Sequence, residues 1–277
     1  DTKGKILPTP KSGDDDVIVF LYNYNGWSLL GFVLQNICDA YLASSDGLDE
    51  STEYLMVSIL DLISNVFSKR TSYERSLEIM QHLSSYTREN DIVPVIFKIF
   101  EHSLHKRNYK VLCICSNFVL SLFSNFPQFV WSHWARSDLL DRNGKTGMAE
   151  VVLGSIELPL GKYDFTISLI KLANEMVTEA VSLKSDFPLK TKRDMLDKLI
   201  THLLDVYESY QFWKYTDVIQ RFELGFHLNS LFTKVLYNVY GIDPSSPPDK
   251  KITNVLASPG YRIVNAFLGS QSPDVRA

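Results

Sequence analysis

The sequence predicts an all-α fold, an irregular HEAT- or armadillo-like α-solenoid preceded by a short N-terminal β segment, and three observations support this. From Trp27 onward apolar residues recur at helical rather than strand spacing. Pro, Gly or capping residues interrupt these runs roughly every 20 residues. Together they give about eleven helices at roughly 40 to 47 residues per hairpin, the period of such arrays. No consensus repeat aligns, which suits an irregular stack in which each interface has only to fit its neighbour. A single compact helical bundle is the structural alternative.

The chain divides by texture into 1–26, two β-type runs; 27–241, the helical solenoid; and 242–277, a Pro-rich linker with short helices that continue the solenoid. Thr2–Leu7 and Val17–Tyr24 are β-branched and aromatic, separated by Pro8, Pro10, Gly13 and the triplet Asp14, Asp15, Asp16. Two strands alone are marginal, so either they pack on the helices or they are the remainder of a small barrel. Leu30, Val33, Leu34, Ile37 and Tyr41 then form one helical stripe, closed by Ser44, Ser45, Asp46 and Gly47. Ser51 or Thr52 caps the next helix, whose stripe is Leu55, Ile59, Leu62, Ile63 and Val66. Thr71 and Glu74 have capping-box spacing ahead of Leu77, Met80 and Leu83.

Asp91 caps a short helix with Pro94 in its first turn, where a missing N–H costs nothing. Asn108 opens a very apolar helix through Phe123, and Pro127 starts another with Phe129, Val130, Trp131 and Trp134. After a polar loop at Asp141–Lys145, helices are predicted at Met148–Ile156, Asp164–Val181, Thr191–Trp213 and Asp217–Tyr240, the last stopped by Gly241. Pro244, Pro247 and Pro248 make a linker before one or two short helices in Ile252–Leu268.

Composition narrows the function. The 277 residues, 45% hydrophobic, can bury a large core, and 28 Lys+Arg are dispersed among 32 Asp+Glu for a net charge of -4. The basic face that nucleic acid requires is missing. Val111–Phe126 is too short and too rich in Ser and Asn to span a bilayer, so it reads as a buried helix and no direct membrane insertion is expected. Cys38, Cys113 and Cys115 give no disulfide framework and suit a reducing compartment. Asp1 in place of Met, opening into strand-like sequence, suggests a piece of a longer polypeptide.

No catalytic, cofactor-binding or metal-ligating residue is assigned. Among His82, His102, His105, His133, His202 and His227 there is no HExxH, and His102 with His105 is the one close pair. It reads as a helix end before Lys106 and Arg107, where positive character suits the dipole. Cys113 and Cys115 point about 200° apart on a helix and act as small core fillers. Gly144 and Gly147 are loop hinges rather than a phosphate cradle, and Asp46, Asp49 and Glu50 lack the order of a calcium loop. No carboxylate pair sits in an apolar setting, and no nucleophile elbow is present. Trp131, Trp134, Trp213, Tyr215 and Phe226 have the spacing of core residues rather than of partner-binding anchors.

Several local patterns together resemble the large inner-ring scaffold nucleoporins, specifically the nucleoporin 188 type, sister to the 192/205 type. Thr2, Gly4, Lys5 and Ile6, then Val17–Tyr22, Tyr24, Trp27, Leu29 and Leu30, are similar to the end of that family's SH3-like barrel and its run into the helices. Pro127 with Val130 and Trp131 is similar to its Pro, Val-Trp helix. Pro159, Gly161, Tyr163, Thr166, Ile167, Lys171 and Leu172 resemble its Pro-x-Gly-x-Tyr-x-x-Thr-Ile segment, followed by Tyr210, Trp213, Lys214 and Tyr215 as Tyr-x-x-Trp-basic-Tyr. In these motifs Pro159 and Gly161 make a turn, Tyr163 packs back as a staple, and Lys214 lies beside aromatic faces at a helix end. The resemblance implies a karyopherin-like scaffold segment at the nuclear pore complex of the nuclear envelope, without an active site. It would contact other inner-ring nucleoporins and lay an amphipathic helix of a linker nucleoporin into a groove, with Phe-Gly repeats as secondary partners. A soluble transport receptor or other HEAT-type adaptor is the alternative.

Overall fold

The computed structural model describes residues 26–45, 47–68, 72–137, 139, 157–182 and 185–236. The predicted β segment, the Asp141–Lys145 loop, the Met148–Ile156 helix and the 242–277 region lie outside the described residues, save Gly26 in a turn. The described residues form ten α-helices: α1 Trp27–Ala43, α2 Glu50–Ser68, α3 Tyr73–Ser84, α4 Ile92–Lys106, α5 Tyr109–Leu122, α6 Pro127–Arg136, α7 Glu157–Leu160, α8 Asp164–Ser182, α9 Leu189–Ser209 and α10 Val218–Lys234. A 3-10 turn, Tyr210–Phe212, follows α9. No strand occurs among the described residues.

Side chains that satisfy orphan N–H groups set most of the starts. Asp91 accepts from Val93 N–H at 2.9 Å, Asn108 from Val111 N–H at 3.3 Å and Asp217 from Ile219 N–H at 2.9 Å, while Pro127 opens α6. Two caps differ from the sequence reading. Asp49, not Ser51 or Thr52, caps α2: its carboxylate is the stronger acceptor, takes Thr52 N–H at 3.1 Å, and draws in both hydroxyls. Ser72 rather than Thr71 caps α3, accepting from Arg75 N–H at 3.3 Å; Thr71 lies outside the described residues. At the end of α4, Arg107 takes a left-handed conformation with φ 55.

The helices stack in two rows. α2, α5, α8 and α10 each pack on the next along one side, and α1, α4, α6 and α9 do so along the other, with α3 against α1 and α4. Pairs such as α1–α2, α4–α5 and α8–α9 join the rows. This all-α arrangement agrees with the predicted solenoid. The stripes behave as read, with adjustments. Leu34, Ile37 and Tyr41 are buried, but in α2 Leu55 is exposed while Met56, Leu60 and Phe67 are buried, so the apolar arc is rotated toward α5.

α1 and α3 come into backbone contact where α1 crosses the end of α3. A Cβ on Gly31 would fall 1.8 Å from the Leu83 carbonyl oxygen, so only glycine fits there. Farther along, Phe100 meets Trp134 and Phe165 edge-on, both at 6.3 Å, linking α4, α6 and α8. Buried charge ties the same region. Lys192 of α9 reaches the Glu179 carboxylate of α8 at 3.0 Å and lies 5.6 Å over the Trp131 ring of α6, whose Nε1–H also donates to Glu179.

Two outcomes are expected. Gly31→Ala forces backbone apart and lowers the unfolding free energy in urea by about 1–3 kcal/mol. Glu179→Ala strands a buried ammonium and costs about 3–5 kcal/mol, whereas Glu179→Leu combined with Lys192→Met, which removes both charges, restores most of it by the same measurement.

Candidate interface

The two motif segments that lie about fifty residues apart in sequence meet in one clasp. α7 ends where Gly161, at φ +64, turns the chain after Leu160; a Cβ there would sit 2.8 Å from the Thr216 hydroxyl. Thr216 N–H donates to the Gly161 carbonyl at 2.8 Å, and its hydroxyl to the Leu160 carbonyl at 2.8 Å. Tyr163, fully buried, packs its ring 4.9 Å from both Trp213 and Tyr215 and donates its hydroxyl to the Lys214 carbonyl at 2.7 Å. Tyr163 stands at the start of α8 as expected, but its ring packs across onto Trp213 and Tyr215 rather than back on its own helix as a staple. The basic residue acts differently: the Lys214 side chain is exposed, and its backbone carbonyl makes the contact.

Glu157 locks the clasp to α8. Its carboxylate is completely buried and accepts from Phe165 N–H at 2.9 Å, Thr166 N–H at 3.2 Å and the Thr166 hydroxyl. An acidic cap on a helix N-terminus is electrostatically favourable. Burial nevertheless outweighs these bonds and pushes its pKa from 4.5 up to about 7. The sequence reading concerned carboxylate pairs and did not single out Glu157 or Glu179, each of which is buried on its own. Neither has a second carboxylate partner: one serves a helix end, the other a lysine. From the clasp a polar seam runs between α8 and α10, through Lys171–Glu223 at 2.8 Å, Asn174 Nδ2 to the His227 carbonyl at 3.1 Å and Lys234–Thr178 at 3.1 Å.

Beyond the seam, α10 turns an apolar face outward. Val218, Ile219, Phe222 and Phe226 fall within about 100° of its circumference, and Phe222 and Phe226 are 71% and 70% exposed. Phe212 beside them is 87% exposed. Phe226 is therefore not a core residue as its spacing suggested; the buried side of α10 is carried by Leu224, Leu228, Leu231 and Phe232. Trp131 and Trp134 are buried as expected, and Trp213 and Tyr215 are partly buried against the core.

An apolar concavity of about 290 Å³ opens between α3 and α6. Leu77, Met80, Phe126 and half-exposed Phe129 line it, with Gln81 and Asn90 among its polar residues.

The remaining candidate residues take structural positions. The His102 ring stands edge-on to Tyr41 at 4.6 Å, and burial lowers its pKa, so the electrostatic role given to the His102/His105 pair does not extend to it. His105 is exposed in the last turn of α4. Cys38 and Cys115 are buried and Cys113 is partly so; burial raises Cys38 to about 11 and Cys113 to about 12. Among the described residues no group of three His, Cys, Asp or Glu is placed to hold a metal, and no helix is long and apolar enough to cross a membrane.

Glu157 generates a pH test. Its folded carboxyl keeps a proton that the unfolded chain releases near 4.5, so the stability it contributes is present below that value and is lost as pH rises through about 7. The stability of the protein relative to its Glu157→Gln variant should therefore fall by about 3 kcal/mol across that window in parallel urea titrations. A pH-independent difference would show that the carboxyl titrates normally.

A family model described as Nucleoporin Nup188, N-terminal subdomain III, matches residues 17–277. Nucleoporin NUP188 of Saccharomyces cerevisiae is 39% identical over 261 residues, covering 91% of this chain and 16% of that protein. Nucleoporin nup184 of Schizosaccharomyces pombe is 28% identical over 284 residues, 98% of this chain and 17% of that protein. Nucleoporin NUP188 of Chaetomium thermophilum is 22% identical over 286 residues, 89% and 15% respectively. The chain thus spans about one sixth of the length of these curated relatives. Such nucleoporins are components of the nuclear pore complex in the nuclear envelope. With the family model covering nearly all of it, the chain belongs to the Nup188 family of nucleoporins.

Proposed function

We propose that this segment is a scaffold unit of the inner ring of the nuclear pore, an irregular HEAT-type solenoid that holds a linker nucleoporin and contacts other inner-ring nucleoporins. In this reading residues 27–241 form the stack, 1–26 end an SH3-like barrel and 242–277 continue the helices. No catalytic, cofactor or metal role falls to any residue. One observation carries the proposal: the buried charges, aromatic rings and close-packed glycines hold helices against helices in two rows, as a mechanical element requires.

The α3–α6 concavity is the groove for the linker. Its floor of Leu77, Met80 and Phe126 offers apolar contact to side chains projecting from one face of an amphipathic helix, with Phe129 as a wall. Gln81 and Asn90 supply polar contacts, the composition that helix-in-groove recognition uses. Met80→Glu and Phe129→Glu, both at partly exposed positions, should weaken binding of a fluorescent amphipathic peptide from the cognate linker nucleoporin at least about tenfold by anisotropy, with the circular dichroism spectrum unchanged. Equal affinity of the variants moves the groove elsewhere, and absence of binding by the unaltered chain removes this segment from linker recognition.

A further inference from the structure

We infer that the α3–α6 groove selects a basic amphipathic helix, one that sets a Lys or Arg against Asp91 a turn beyond its apolar anchors. The inference rests on the reading of this concavity as a helix groove and adds to it the charge of the occupant. The groove has two unlike ends. At one, Tyr73 in the first turn of α3 meets Phe126 at the start of α6, with ring centroids 5.7 Å apart. At the other, Asp91, which follows α3 and caps α4, has its carboxylate 3.4 Å from His133 Nε2 near the end of α6. Along α3, Leu77 and Met80 give way to Gln81, Ser84 and Ser85, so the lining turns from apolar to polar over about two helical turns, ~10 Å.

Charge complementarity selects the occupant. Among the described residues that line the concavity, Asp91 alone is charged. Its carboxylate is held in place: one oxygen accepts from Val93 N–H at 2.9 Å, and the other faces His133, whose side chain is only 14% exposed. The Asp91 side chain is still 31% exposed, and two contacts do not exhaust the roughly four acceptor positions of a carboxylate. The N-terminus of α4 contributes about half a positive charge, less than the full negative charge of the carboxylate, so this end of the groove stays anionic. Nearby cations of the chain are engaged with other carboxylates, Arg88 with Asp39 at 2.8 Å and Lys98 with Glu89 at 3.0 Å. An apolar floor that ends on a fixed carboxylate favours an apolar stripe followed by an ammonium or guanidinium group, through a charge-assisted hydrogen bond. It disfavours an acidic residue at the same place. The volume, about 290 Å³, lies at the small end for pockets that enclose a whole small molecule and suits a few side chains from one helix face.

The test uses the full chain and three fluorescein-labelled synthetic helices. They share apolar anchors at i, i+3, i+4 and i+7 and differ only in the residue one turn beyond, which is Lys, Gln or Glu. Anisotropy is read at about pH 8, above the range in which imidazole ordinarily carries charge. The Lys peptide should bind at least about fivefold more tightly than the Gln peptide, and the Glu peptide more weakly than either. Asp91→Asn removes the charge and keeps a good N-cap, so it should bring the Lys and Gln peptides to equal affinity and leave the Gln value unchanged. Phe129→Ser, at a half-exposed wall position, should weaken all three peptides alike. Equal binding of the three peptides to the unaltered chain, with Phe129→Ser weakening them, leaves the groove standing and overturns its charge selectivity. A Lys preference that survives Asp91→Asn also overturns the inference, because the cation is then read elsewhere. Tighter binding of the Glu peptide assigns the groove to an acidic partner and overturns it as well. Binding of none of the peptides, or binding that Phe129→Ser does not touch, removes the helix groove itself and the inference with it.

Discussion

α8 is held by a buried carboxylate near each end, and the remainder of the stack is arranged around that constraint. At its start Glu157 meets free N–H groups, so its charge and the helix dipole agree. Toward its end Glu179 lies where the dipole disfavours an anion, and Lys192 with Trp131 compensates. The two ends therefore work by different physics. One is a cap whose cost is desolvation, visible in the raised Glu157 pKa; the other is an ion pair that forms only if α6, α8 and α9 are all in place. Because α8 also lies between α5 and α10, fixing its axial position sets the register of its row.

The clasp around Tyr163 extends this logic to α10. Gly161 permits the turn, Thr216 closes it with two hydrogen bonds, and Gln220 reaches back to Asp164 at 2.7 Å and to Tyr163 N–H at 3.0 Å. Each bond joins residues far apart in sequence, so none can form in an isolated helix. That makes the clasp a device for placing α10 on α8, and it explains why the chain invests a positive-φ glycine and a fully buried tyrosine at one point on the surface of the stack.

Much of this architecture is legible in the sequence where the signal is local. A 3.6-residue period, Asp91, Asn108 and Asp217 at helix starts, and Pro127 at a first turn each act within one or two turns, and the structure places them as read. What escapes is non-local. The Pro159–Leu172 and Tyr210–Tyr215 motifs are recognisable separately, but nothing in their spacing says that Tyr163 touches Trp213. Glu157, Glu179 and Lys192 look like ordinary solvated charges until their neighbours are known, since burial is a property of the packed state. Phe226 fails in the opposite sense: its spacing is that of a core residue, yet α10 has apolar residues on both sides, and periodicity cannot say which side faces α8. Asp49 outcompetes Ser51 and Thr52 as a cap because a carboxylate can gather all three donors at once.

A two-row stack has a further consequence for how such a protein bears change. Contacts run mainly between neighbours, so stability is close to a sum of interface terms, and damage at one interface is felt mostly by the helices that form it. The α1–α3 crossing at Gly31 and the α8–α10 clasp at Gly161 share no helix or described partner. Between them the Phe100, Trp134 and Phe165 cluster is the route by which the two regions are mechanically joined, through α4, α6 and α8. Edge-to-face aromatic contacts resist sliding because each ring edge is seated against a neighbour's face. A segment built this way holds its helices in register through interior contacts, while its outward faces remain free to vary.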